Sequence, residues 1–298
     1  MSNKKTAVRR IIIYCVLAYL PIYVITPLMN MHYGELMFAS GNTAVGIYLF
    51  GVLGMFAPAA ANLITRLITR EGMENSLLAL NFKGNGRYYA ASVLAVMAEL
   101  LIGVILFYAF FLNGMSPAEA FPTEALGDKT ASFLSQVSYS IVVFFPAFGE
   151  EWGWRGYLMP KLTQIMSKPA AIVTGGVIWG LWHAPLTISG HNFGVDYPFY
   201  PWLGILLMCL LCVANNAFLT LLTERTGSIY PASFFHMVDN NCSLLVLLNF
   251  FGSEKALSVA DSVPSVQAFL TVLFIPAAVL GAASFVLLVR KPGTRSAE

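Results

Sequence analysis

Eight stretches of roughly 20 residues, each nearly free of charge, succeed one another near 9–30, 43–65, 88–112, 132–154, 169–188, 201–223, 229–250 and 264–290. About 20 apolar residues in a helix cover the ~30 Å of hydrocarbon in a bilayer. Inside hydrocarbon a backbone must satisfy its own polar groups, so runs of this length are helices. The spacing predicts an all-α polytopic membrane protein, a bundle of about eight transmembrane helices. With 57% of residues hydrophobic, 11% charged and a mean hydropathy of +0.70, the composition excludes an ordinary water-soluble globular chain. No internal repeat, low-complexity tract or soluble segment interrupts the series. Residues 1–298 read as a single transmembrane domain.

The basic residues set the expected orientation. With both termini in the cytoplasm, all 17 Lys and Arg residues except Lys129 and Lys255 fall on the inner side, as the positive-inside rule requires. The expectation is a multi-pass cell-membrane protein with both termini cytoplasmic and the 119–129 loop outside. The net charge of +2 then reflects topology and not nucleic-acid binding. The N-terminal KK…RR and the run IIIYCVLAYLPIYVI are too long for a signal peptide and lack a small-residue cleavage site. They read as a retained first span. Cys15, Cys209, Cys212 and Cys242 all lie in spans, against a disulfide framework. Residues 66–87 suggest a short interfacial helix followed by a Gly-rich turn.

An ionisable side chain at membrane depth is costly and marks a functional site by default. The spans hold few: Glu99, Glu150, Glu151 and Arg155, His183, then His236, Asp239 and Asn240. Together they predict a polar cavity inside the bundle. His32 and His191 fall in expected outer loops. Glu151 and Arg155 are four apart on one helical face and can pair, whereas Glu150 is turned by about 100° and stays free to act as a general base.

The 132–154 and 169–188 spans form a hairpin about a turn near MSKP, and the midpoint of 150 and 183 lies between Met166 and Ser167. Glu150 and His183 are therefore expected level with each other, about 25 Å along each helix from the tip. His236 and Asn240, four apart, can offer two donors to a developing oxyanion. A carbonyl could then be hydrolysed without a covalent nucleophile. The sequence has no Gly-x-Ser-x-Gly elbow, and no cysteine stands out beside a particular histidine. Glu99 reads as a protonated or paired bundle residue and Asp239 as a supporting or packing one.

These three segments resemble the motifs of the CAAX prenyl endopeptidase and bacteriocin-processing (CPBP) family of intramembrane proteases. Glu150, Glu151 and Arg155 match Glu-Glu-x-x-x-Arg, Trp179 to His183 match Phe-x-x-x-His, and His236 and Asn240 match His-x-x-x-Asn. The resemblance covers about 130–250, in the family's order, with Trp179 for phenylalanine as its one departure. WRGYLMP and WGLWHAPL look most like the bacterial branch. The resemblance implies an intramembrane endopeptidase in which Glu150 activates water with the help of His183. His236 and Asn240 would stabilise the oxyanion, and Glu151 with Arg155 would orient the first-motif helix.

The expected partners are the lipid bilayer and a membrane-associated protein or peptide substrate, such as a leader peptide, a bacteriocin precursor or a membrane-anchored regulator. No cofactor is expected. The alternative is zinc held by Glu150, His183 and His236 with Glu151 as base, but no His-Glu-x-x-His pair supports it. A non-proteolytic membrane regulator or bacteriocin-immunity protein of the same fold is the competing function. A proton-coupled transporter would show repeat symmetry and interrupted helices in matching halves, which the sequence does not.

Overall fold

The computed structural model describes residues 2–33, 36, 54–123, 126–241 and 251–289. Among them there is no strand. The main helices are α1 (Ser2–Tyr33), α2 (Ala57–Ile68), α3 (Gly86–Phe111), α4 (Leu126–Gly153), α5 (Lys168–Trp182), α6 (Trp202–Thr226), α7 (Tyr230–Asn241) and α8 (Ile275–Val289).

Four described helices are long and apolar enough to cross a membrane: 4–32 within α1, α3, α6 and the continuous helix 265–289 that ends in α8. The chain is an all-α membrane protein. Residues 43–53 of the expected 43–65 span and 242–250 of the 229–250 span, with Cys242, lie outside the described residues. The apolar window of α6 is 61% buried within the protein, against 22% in α1 and in α3. The helix α6 is therefore central, and the others turn apolar faces such as Ile12, Val16 and Leu20, or Leu94 and Leu101, outward. Side chains at Gly176 and Gly180 would overlap the α6 backbone at Val213 and Cys209. This small-xxx-small stripe is what lets α5 lie directly against α6.

Two prolines interrupt the hairpin that carries the first two motifs. Pro160 has no N–H to give to the carbonyl of Gly156. The helix adapts with a π turn over Trp154–Leu158, in which the Met159 N–H reaches the Trp154 carbonyl, and then continues to Leu162. π turns of this kind concentrate at functional sites. The expected 169–188 span is likewise broken: α5 stops at Trp182, and a short helix resumes over Ala184–Ile188. Pro185 cannot bond the Leu181 carbonyl, and the Tyr23 hydroxyl donates to it at 2.7 Å instead. His183 sits at this break.

No helix forms over 69–85, so the expected interfacial helix there is corrected to a loop. Tertiary bonds override the local pattern. The Arg66 guanidinium donates to the Gly72 and Glu74 carbonyls, the Ile229 N–H donates to the Leu77 carbonyl, and Asn81 Nδ2 donates to the Thr226 carbonyl. Arg70, Asn75, Leu77 and Asn81 all take positive φ, which a helix cannot contain. Glu71, in the same loop, ties α1 to the end of the α4 hairpin arm by accepting from Arg10, Tyr157 and Lys161.

Candidate active site

Glu150 and Glu151 end the last turn of α4, and both are buried. Their environments differ. Glu150 Oε2 accepts from two indoles, Trp154 Nε1 at 3.2 Å and Trp179 Nε1 at 2.9 Å. No described residue reaches its other oxygen with a hydrogen bond. Glu151 Oε1 accepts from Arg155 Nη1 at 2.9 Å, the four-residue pair the spacing predicts, and also faces His236 Nδ1 at 2.8 Å. One carboxylate is anchored by neutral donors at one oxygen; its neighbour is held between a guanidinium and an imidazole.

Trp179 joins the groups. Its indole N–H holds Glu150, its ring carries the Arg155 guanidinium at 4.1 Å, and its backbone carbonyl lies 3.0 Å from His183 Nδ1. Its ring centroid is 6.0 Å from that of His183 and 5.7 Å from that of His236. A carbonyl only accepts, so His183 Nδ1 carries the proton and the neutral ring presents its lone pair at Nε2. His236 donates Nδ1–H to Glu151 in the same way, and its Nε2 can donate only when the ring is an imidazolium.

The structure thus brings Glu150, Glu151, Arg155, His183 and His236 around one indole. Asn240, a turn beyond His236 on α7, is exposed, and its side chain makes no hydrogen bond with a described residue. Glu99 on α3 and Asp239 on α7 are half-buried outside this group, and Glu99 Oε1 has no partner among the described residues. Sequence reasoning missed the donor roles of Trp154 and Trp179, although each lies four residues from a motif residue and so shares its helical face. It also set His191 aside in a loop. The break at His183 folds the chain back and places the His191 ring parallel to that of His183, 6.5 Å away. His32 belongs to the last turn of α1.

Among the described residues no three His, Cys, Asp or Glu side chains converge closely enough to hold a metal ion. The sulfur of Cys212 approaches His183 Nδ1 at 4.0 Å and packs as a free thiol.

Residues 133–242, which contain every motif residue, match the family described as type II CAAX prenyl endopeptidase Rce1-like. The chain is also similar to a CAAX prenyl protease 2 of Methanococcus maripaludis, with 28% identity over 102 residues. That similarity covers 33% of this chain and 37% of the length of the relative. The ordered motifs, the buried carboxylate pair and the family match agree over one region: residues 133–242 are similar to the CPBP-type, Rce1-like CAAX prenyl endopeptidases.

Proposed function

We propose that this protein is an intramembrane endopeptidase that hydrolyses a peptide bond of a membrane-associated protein or peptide with a water activated by Glu150. The observation that carries this reading is the asymmetry of the Glu150 carboxylate. One oxygen is fixed by two indole N–H groups, and the other is left for water. Fixed orientation is what a general base needs, and neutral donors hold the group without cancelling its charge. His183, with its proton locked on Nδ1, offers the Nε2 lone pair to the same water.

When the water attacks the scissile carbonyl, Glu150 takes its proton and charge develops on the carbonyl oxygen. His236 as an imidazolium, held by Glu151, donates to that oxyanion from Nε2. Asn240 supplies the second donor once substrate is bound beside it. Glu150 then passes its proton to the departing amine, the chain's own groups sufficing for each transfer.

The basic residues support the inner face as the side from which the site is reached. Glu71 pairs with Arg10 and Lys161, and Glu224 with Lys168. Both termini are proposed to be cytoplasmic, and labelling of single cysteines placed at the N-terminus and in the 119–129 loop tests this. For the chemistry, the protein reconstituted in liposomes is assayed with membrane-anchored peptides beside Glu150→Gln. Loss of hydrolysis by roughly 100- to 10,000-fold is expected when a general base is removed. A membrane regulator or immunity protein would show no hydrolysis to lose, and its effect on cells would survive Glu150→Gln.

A further inference from the structure

The helix α1 lies outside residues 133–242, the region of family similarity, yet it touches both sides of the candidate site. Tyr14, Ala18 and Ile22 recur every four positions and are at most 2% exposed, so one face of α1 packs on protein while the rest meets lipid. The Tyr14 ring meets Trp154 edge-on at 5.7 Å, and Trp154 is one of the two indoles that hold Glu150. The Ala18 carbonyl accepts from Trp182 Nε1 at 3.0 Å, and the Trp182 ring stands at 90° to that of His183, 4.8 Å away. Trp154 and Trp182 meet each other at 5.8 Å.

Further along α1, two tyrosines reach the backbone of α5. Tyr19 donates to the Ile178 carbonyl and Tyr23 to the Leu181 carbonyl, the latter at 2.7 Å. The two acceptors are not equivalent. Ile178 lies inside α5, where the N–H four residues on belongs to Trp182 and serves the ordinary helical bond. Leu181 precedes the break, and four residues on stands Pro185, which has no N–H to give. Tyr23 is 42% exposed on the lipid side of a membrane-spanning helix. Hydrocarbon offers neither its phenol nor the Leu181 carbonyl a water, so each needs the other. Beyond the break, Asn30 Nδ2 donates to Ser189 Oγ at 2.8 Å. The helix α1 thus grips the chain both before and after His183.

We infer that α1 sets the place of His183 relative to Glu150, with Tyr23 as the positioning residue that bonds the carbonyl left by Pro185 and so fixes the angle of the break. The inference rests on the peptidase reading. A helix interrupted by proline bends where its bond is missing. A change in that angle moves His183 and leaves Glu150 where Trp154 and Trp179 hold it, since both indoles precede the break. Misplacing a reacting group by about 1 Å costs up to about 100-fold in rate. Tyr23 contacts neither Glu150 nor the His183 ring, and its effect reaches the chemistry only through the break.

The test uses the full chain in liposomes, assayed with membrane-anchored peptides. Tyr23→Phe removes a single hydroxyl and is expected to lower kcat by about fivefold, within the scale of one hydrogen bond, with KM unchanged. Tyr19→Phe removes the same group one turn earlier, where the helix keeps its own bond, and should change kcat by less than about twofold. Pro185→Ala restores an N–H for the Leu181 carbonyl, so in that background Tyr23→Phe should cost nothing further. A second measurement is independent of turnover: NMR of the same proteins with isotope-labelled histidine, the His183 ring being assigned by its loss in His183→Asn. Its signals should match wild type in Tyr19→Phe and shift or split in Tyr23→Phe, while those of His236 stay in place. Where Pro185→Ala is itself inactive, the NMR comparison decides. Equal losses in the two tyrosine variants overturn the inference. So does a Tyr23→Phe loss that persists at full size beside Pro185→Ala, or a His183 ring that Tyr23→Phe leaves unmoved. Failure of the peptidase reading shows differently, as hydrolysis that Glu150→Gln leaves intact, and the NMR outcome does not depend on it.

Discussion

Glu150 and Glu151 are adjacent in sequence, equally buried, and differ in almost everything else. Around Glu150 the partners are neutral indole donors on one oxygen, and the other oxygen is open. Around Glu151 they are Arg155 and His236, both on Oε1, while its Oε2 is fully buried with no partner among the described residues. A carboxylate whose charge is compensated is a structural element, because removing one member of a buried ion pair strands the other. A carboxylate fixed by neutral donors keeps its charge available for chemistry. One helical step of about 100° separates the two roles.

The largest expected effect breaks this comparison outright. Glu151→Gln leaves Arg155 buried without its paired carboxylate and should destabilise the protein by roughly 3–5 kcal/mol, seen as a lowered melting temperature in detergent. Glu150→Gln keeps an oxygen for both indoles and should melt close to wild type while losing activity. If the two glutamines are equally destabilising, the division of roles is wrong.

Next comes Asn240→Ala, expected to lower kcat by about 100- to 1,000-fold if the amide is an oxyanion donor, with little change in melting temperature because the side chain is exposed. An unchanged kcat would leave His236 as the donor without it. A smaller effect sharpens the Glu150 side. Trp179→Phe supplies the phenylalanine of the motif that the sequence resembles but removes one of the two N–H bonds to the carboxylate. Activity should fall by about tenfold, the scale of one hydrogen bond, and Trp154→Phe by less, its bond being longer.

Glu71 gives a control outside the membrane. Burial alone would push its carboxyl up, but Lys161, Tyr157 and Arg10 hold it below its ordinary value of 4.5. A depressed folded value means that its contribution is present above the usual glutamate range and is lost as pH falls through the folded one. Amide exchange in 69–85 should therefore accelerate below about pH 4, and Glu71→Gln should abolish that dependence. The smallest expected effect is none: exhaustive chelation should leave hydrolysis unchanged, with no stoichiometric metal by elemental analysis. Inactivation by a chelator, reversed by zinc, would make Glu150, His183 and His236 ligands and replace the base assignment.

What the sequence determined by itself is what depends on short range and on the solvent. Runs of about 20 apolar residues can only be helices in lipid, so the helical class followed from length and composition. Four-residue spacings put Glu151 beside Arg155, because a helix fixes its own neighbours. The stop near MSKP followed from Pro169, which occupies the first turn of α5. The tertiary structure decided what depends on distant segments meeting. It assigned His236 to Glu151, made Trp179 the hub of the site and returned His191 to His183 through a break that Pro185 forces. It also held 69–85 as a loop, through bonds to Thr226 and Ile229 that no local pattern encodes. The choice between two neighbouring carboxylates began with the four-residue spacing that pairs Glu151 with Arg155, and side chains about 30 and 85 residues away along the chain completed it.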